Sequence, residues 1–103
     1  MGLFNRKKKP WDYNTRDEKL RAIFEDYRND EKIIINTIKK ESDMLVKVHA
    51  ANVLFNIKQL PDNPLALIAC LVGDVGLSEN EAEELLQAIG EYYVQLQNQG
   101  LVG

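Results

Sequence analysis

Few side chains in this 103-residue chain could do chemistry, and none of them comes in a set. His49 is the only histidine. A carboxylate-bridged metal site in a helical bundle asks for Glu-x-x-His, and Val46 stands where that glutamate belongs. His49 therefore reads as a half-buried helix residue. Cys70 is the only cysteine, so it has no partner for an internal disulfide, and it lies inside the apolar run Leu65 to Val72. Such surroundings raise a thiol pKa and keep it inert, and an unpaired cysteine fits a reducing, cytosolic setting. Glu25-Asp26 and Glu83-Glu84 are adjacent pairs, which point around a helix instead of at one another. Gly73-Asp74-Val75-Gly76 is too short for a phosphate-binding loop and no lysine follows it. With no nucleophile, base and orienter to assemble, no enzyme, cofactor or metal is expected.

What remains is recognition through charge and apolar surface. The net charge of −3 conceals two unlike ends. Arg6, Lys7, Lys8 and Lys9 crowd the first ten residues without an acid, whereas residues 64–103 carry six acids and no base. Leu3, Phe4 and Trp11 flank the basic run and could enter a headgroup layer while Arg6 to Lys9 meet anionic lipid. Attraction of that kind is worth ~1 kcal/mol per charge, so the contact would be weak and sensitive to salt. No apolar segment follows the basic run as a secretory signal requires, and no run of apolar residues is long enough to span a bilayer. Arg6 also stands where a myristoylation motif wants Ser or Thr.

The acidic end excludes another class of partner. Leu65 to Gly103 superficially suggests a helix-turn-helix, with Ser78 opening the recognition helix. Glu79, Glu81, Glu83 and Glu84 would then face phosphates, and phosphate neutralisation dominates such binding. No nucleic-acid partner is expected. Glu79, Glu83 and Tyr92 instead form a candidate surface for a protein partner, with Tyr92 read as an exposed aromatic among acids.

The elements that must position these residues are helices. Ser78 with Glu81 makes a capping box, and Ala82, Leu85, Leu86, Ile89, Tyr93 and Leu96 follow as one stripe of 3.6-residue period. Gly100 sits where a left-handed terminator belongs, with Leu101 able to return onto Leu96. Thr15 with Glu18 predicts a second capping box. No Gly or Pro interrupts Thr15 to Leu60, which as one helix would run ~70 Å, too long for a domain of this size. A turn is expected at Asn29-Asp30 and a kink or short break near Ser42.

Met44 to Leu60 carries two apolar faces, so it should meet two neighbours; the surplus also suggests a homodimer. Asn63-Pro64 marks a stop and restart, and Leu65 to Val72, apolar all round, is expected to be the central helix. Gly90 inside the last helix suggests close approach of a neighbouring backbone. The expected architecture is all-α: an antiparallel four-helix bundle over residues 14–103, with a fifth helix if Ser42 breaks the chain, preceded by a flexible basic arm over residues 1–13.

The segment from Leu60 to Gly100 combines a Pro-rich turn, an apolar helix, the run Ser-Glu-Asn-Glu-Ala-Glu-Glu-Leu-Leu-Gln-Ala-Ile-Gly and a glycine-terminated end. It resembles the small immunity proteins that protect Gram-positive bacteria against pediocin-like bacteriocins, the enterocin A group. The resemblance implies a cytosolic, non-enzymatic four-helix bundle that associates peripherally with the membrane. Such proteins act by binding the bacteriocin-occupied mannose permease and blocking its pore. The chain differs from that group in its basic arm and its short link into the last helix. Two other readings stand beside this one: a phage- or plasmid-type regulator that binds a host protein through its acidic last helix, and a structural homodimer.

Overall fold

The computed structural model describes residues 8–100, so Leu3, Phe4, Arg6, Lys7 and the expected return of Leu101 lie outside the described residues. Within them the chain is helical and contains no strand. A 3₁₀ turn at Pro10–Asp12 precedes α1 (Arg16–Arg21), which widens into a π-helical turn over Ala22–Asp26. α2 (Glu31–Lys40), α3 (Met44–Ile57) and α4 (Pro64–Ala69) follow; α4 widens in turn over Cys70–Val75, and α5 is Glu79–Asn98.

Each helix starts at a short polar side chain that accepts from an otherwise unpaired backbone N–H. Thr15 accepts from the Glu18 N–H at 3.2 Å, but the box is only half made, because the Thr15 hydroxyl donates to the Glu18 carboxylate at 2.9 Å. Asp30 accepts from Ile33 N–H at 3.2 Å and opens α2, which places the expected turn at Asn29-Asp30. The break near Ser42 is real: α2 ends at Lys40 and Asp43 caps α3 through the Leu45 N–H at 3.0 Å. Asn63 accepts from Leu65 N–H at 2.9 Å with Pro64 in the first helical position. At Ser78 and Glu81 the box is complete, at 3.1 and 3.0 Å. Gly76, at φ 90°, ends the widened turn after α4 in a left-handed conformation that a β-carbon would strain. Gly100, at φ 74°, does the same after α5.

The centre of the core is α3, not the run Leu65 to Val72. Val46, Val48, Ala50, Ala51, Val53, Leu54 and Phe55 are all buried on it. α3 packs on α2, on α5 and on α1 with its π-helical turn. Alanines and valines keep its radius small, so several neighbours can approach at once. Leu65, by contrast, is 80% exposed, and only Cys70, Leu71 and Val75 of its region are buried. The physical reason is length. α4 has six residues before the helix widens, which is too short to bury every side of an apolar run, so Leu67, Ile68 and Val72 pack on the core half-buried and only Cys70 and Leu71 of the run are enclosed. Most of the two apolar faces of α3 is covered within the chain, with Met44 at the start of the helix 42% exposed.

Side-chain pairs tie the periphery to this centre. Lys19 and Glu41 meet at 2.7 Å with both side chains largely withdrawn from solvent, joining α1 to the α2–α3 link. Arg16 reaches Asp43 at 2.8 Å, and Lys58 reaches Glu31 at 3.1 Å and Asp74 at 3.7 Å. The buried Thr37 hydroxyl is satisfied by donating to the Ile33 carbonyl at 2.8 Å.

Part of the expected arm belongs to the body. Tyr27 donates its hydroxyl proton to the Lys8 carbonyl at 3.0 Å, Pro10 is buried, and the Lys40 ammonium lies 5.2 Å from the centre of the Trp11 ring. Lys8 to Tyr13 therefore lie on the domain, held by one aromatic hydroxyl and cation–π contacts. Gly90 also departs from expectation. A β-carbon there would meet nothing within 4 Å, so the glycine marks open space and not a close backbone neighbour.

Candidate protein-docking groove

The titratable groups gather around Lys58, which pairs with Glu31 at 3.1 Å and with Asp74 at 3.7 Å, and Asp74 in turn lies beside the Cys70 thiol. His49 stands edge-on between two rings, Phe24 at 5.3 Å and Tyr92 at 4.9 Å between centroids. Burial pushes its pKa below the ordinary histidine value, which favours the neutral ring. Burial first, then the nearby Asp74 carboxylate, push the Cys70 thiol up to about 11, as its apolar surroundings led one to expect. Among the described residues no three His, Cys, Asp or Glu side chains converge as a metal-binding group. None of the described helices is long and apolar enough to cross a membrane.

What the helices build is an apolar groove. The α5 stripe is fully covered only at its start, where Ala82 and Leu85 are buried. Its continuation through Leu86, Ile89 and Leu96 is half-buried, and Tyr93 is 44% exposed. Helix lengths explain the difference. α5 runs about 30 Å for its 20 residues, whereas α3 runs about 21 Å for 14, so α5 outruns the element it packs on. Pro64 and Leu67 from the start of α4 form the facing wall, and Asn52 and Asp62 contribute polar edges. The groove holds about 520 Å³ and is open to solvent. Gly90 lines it on one side and, on the other, lines a shallower hollow with Gln87, Glu91 and Val94. Val94 is 52% exposed, so the end of α5 shows apolar surface on both sides of Gly90.

The residues singled out in the sequence fall unevenly on this picture. Tyr92 is not the exposed aromatic it was expected to be: it is half-buried, packs on the core and closes the ring stack over His49. Its neighbour Tyr93 is the exposed one, and the stripe had assigned it to the core. Glu79 and Glu83 are exposed as expected. They also share a helix face with the groove, because Glu79, Glu83, Leu86, Gly90 and Tyr93 lie at i, i+4, i+7, i+11 and i+14. Of the candidate membrane residues within the described chain, Lys8 is exposed, while Lys9 and Trp11 are half-buried. Pro64, Leu67, Leu86 and Ile89 had been read only as helix start and core, and their periodicity gave no sign that they would line a groove.

No protein-family model, no curated protein and no solved structure matches this chain.

Proposed function

We propose that the chain is a small binding protein without catalysis of its own, which holds a helical segment of a protein partner in the groove between α4 and the second half of α5. The observation that carries this reading is the groove itself: a concavity of about 520 Å³ walled mainly by apolar side chains. Helix-in-groove docking is the mode such a surface suits, with anchors spaced along one face of the incoming helix. For the helices we propose the antiparallel bundle arrangement, which short links between neighbouring helices favour.

The setting we propose is the cytosol or the inner face of the membrane, as for the bacteriocin immunity proteins that Leu60 to Gly100 resembles. The basic run supports the membrane part, with Lys8 exposed beside it. A second reading, a regulator that grips a host protein through its acidic last helix, is favoured by the exposure of Glu79 and Glu83 on the groove face. Calorimetric titration with an uncharged amphipathic helix of about 18 residues tests the groove. Binding to the native chain, lost in Gly90→Leu at unchanged or raised melting temperature, is the expected outcome; equal binding by Gly90→Leu would remove the groove from the account.

A further inference from the structure

We infer that the outward face of α2, together with the 3₁₀ turn at Pro10–Asp12, is the surface that lies on an anionic membrane. The assignment rests on the membrane part of the function proposed above, and it adds a face of the folded domain to the basic run. Lys32, Ile35, Asn36 and Lys39 fall at i, i+3, i+4 and i+7, one stripe of α2, and Lys40 adjoins it. Lys32, Lys39 and Lys40 are exposed, and Ile35 is half-buried. The 3₁₀ turn packs beside the last turn of α2, with the Lys40 ammonium 5.2 Å from the centre of the Trp11 ring. The Tyr27 hydroxyl, donating to the Lys8 carbonyl, fixes Lys8 and Lys9 at the same place. Arg6 and Lys7 precede them in sequence.

The fold uses up the neighbouring acids and leaves these lysines free. Lys8, Lys9, Lys32, Lys39 and Lys40 make no ion pair among the described residues. The carboxylates of α2, its caps and the 3₁₀ turn are Asp12, Asp30, Glu31 and Glu41. Lys58 holds Glu31 at 3.1 Å and Lys19 holds Glu41 at 2.7 Å. Asp12 and Asp30 accept from the backbone N–H groups of Lys9 and Ile33, and they are the two without a cation. Of the elements packed on α2, α3 holds no acid within its length, and Asp74 after α4 lies 3.7 Å from Lys58. α3 packs on both α2 and α5, which have no extensive contact with each other, so the core separates the basic face from the acidic one. Lysine, a compact point charge, suits the diffuse charge of a lipid surface, whereas recognition of nucleic acid leans on arginine. Trp11 is of the type that settles at the headgroup level.

Cosedimentation of the full chain with vesicles of mixed phosphatidylserine and phosphatidylcholine tests this, at roughly 0.1 M salt, where charges more than ~10 Å from the lipid are screened. Lys32→Gln with Lys39→Gln and Lys40→Gln should weaken binding roughly a hundredfold, about fivefold for each lysine. Lys32→Gln with Lys39→Gln, which keeps the Lys40–Trp11 contact, should still cost about 25-fold. Arg21→Gln with Lys47→Gln removes the same charge from α1 and α3, and should cost no more than about twofold. Equal losses in the two double variants would mean that net charge alone governs binding, and would overturn the face. Unchanged binding of the triple variant would overturn it as well, leaving residues 1–9 as the membrane contact. Failure of the native chain to bind would instead remove the whole membrane reading. Trp11 is the only tryptophan and reports the orientation: lipids brominated near the headgroup should quench its emission, and unquenched emission of bound protein would overturn the orientation. An oligonucleotide that binds more tightly than vesicles at equal phosphate concentration would make nucleic acid the partner and overturn the lipid assignment.

Discussion

Gly90 is the residue on which most of the account turns. A glycine inside a helix costs about 1 kcal/mol against alanine, and a β-carbon at this position meets no neighbour within 4 Å. Gly90→Ala should therefore stabilise the chain by about 1 kcal/mol, read as a rise of about 4–8 °C in melting temperature. A fall would mean that the glycine is needed for packing. His49 carries a pH dependence of definite sign. Its folded pKa is depressed by burial between Phe24 and Tyr92, so the folded state prefers the neutral ring. The stability this contributes is complete above the unfolded value of about 6.5 and is lost as the pH falls from there toward the folded pKa. Urea midpoints measured from pH 7.5 to 5 should decline, and His49→Phe should flatten that decline. An unchanged slope would show that groups other than His49 carry all of it.

At the scale of elements, the caps and breaks were legible because each rests on local chemistry. Asp30, Asn63-Pro64 and Ser78-Glu81 start helices as their sequence requires, and Gly100 follows the end of the last one in a left-handed conformation. Which helix lies at the centre was not legible, because that depends on how long each neighbour turns out to be. Two substitutions separate the alternatives. Leu71→Ala removes a fully buried side chain and should cost about 2–5 kcal/mol, whereas Leu65→Ala should stay within about 0.5 kcal/mol. Comparable losses at both sites would restore the whole Leu65 to Val72 run to the core. The withdrawn pair Lys19–Glu41 is a similar case. Lys19→Met alone strands the Glu41 carboxylate in a site only 6% exposed and should cost on the order of 2 kcal/mol. Adding Glu41→Leu should recover most of the loss, and chemical unfolding of the two variants checks it.

For the whole molecule, the acidic half and the basic run were plain in composition, but their relation to the fold was not. The groove exists because α5 extends past α3 and because α4 is short, and neither fact can be read from an apolar stripe that continues unbroken to Leu96. The same reasoning misplaced Tyr92 and Tyr93, which exchange roles once the covered half of α5 is known. The boundary of the basic arm likewise depended on the Tyr27 hydroxyl reaching the Lys8 carbonyl, a contact between residues 19 apart in sequence. If the basic run meets anionic lipid, the full chain should float with anionic vesicles at low salt and a chain lacking residues 1–7 should not. Equal flotation of both, or of neither, would detach the membrane from the account.

The second half of α5 and the start of α4 are proposed as a docking surface. Backbone amide resonances of the isotope-labelled protein, followed as the uncharged amphipathic helix of about 18 residues is added, test that surface residue by residue. Shifts confined to the neighbourhood of Leu67, Leu86, Gly90 and Tyr93 are expected. Shifts centred on Trp11 and Lys40, or none at saturating peptide, would contradict it.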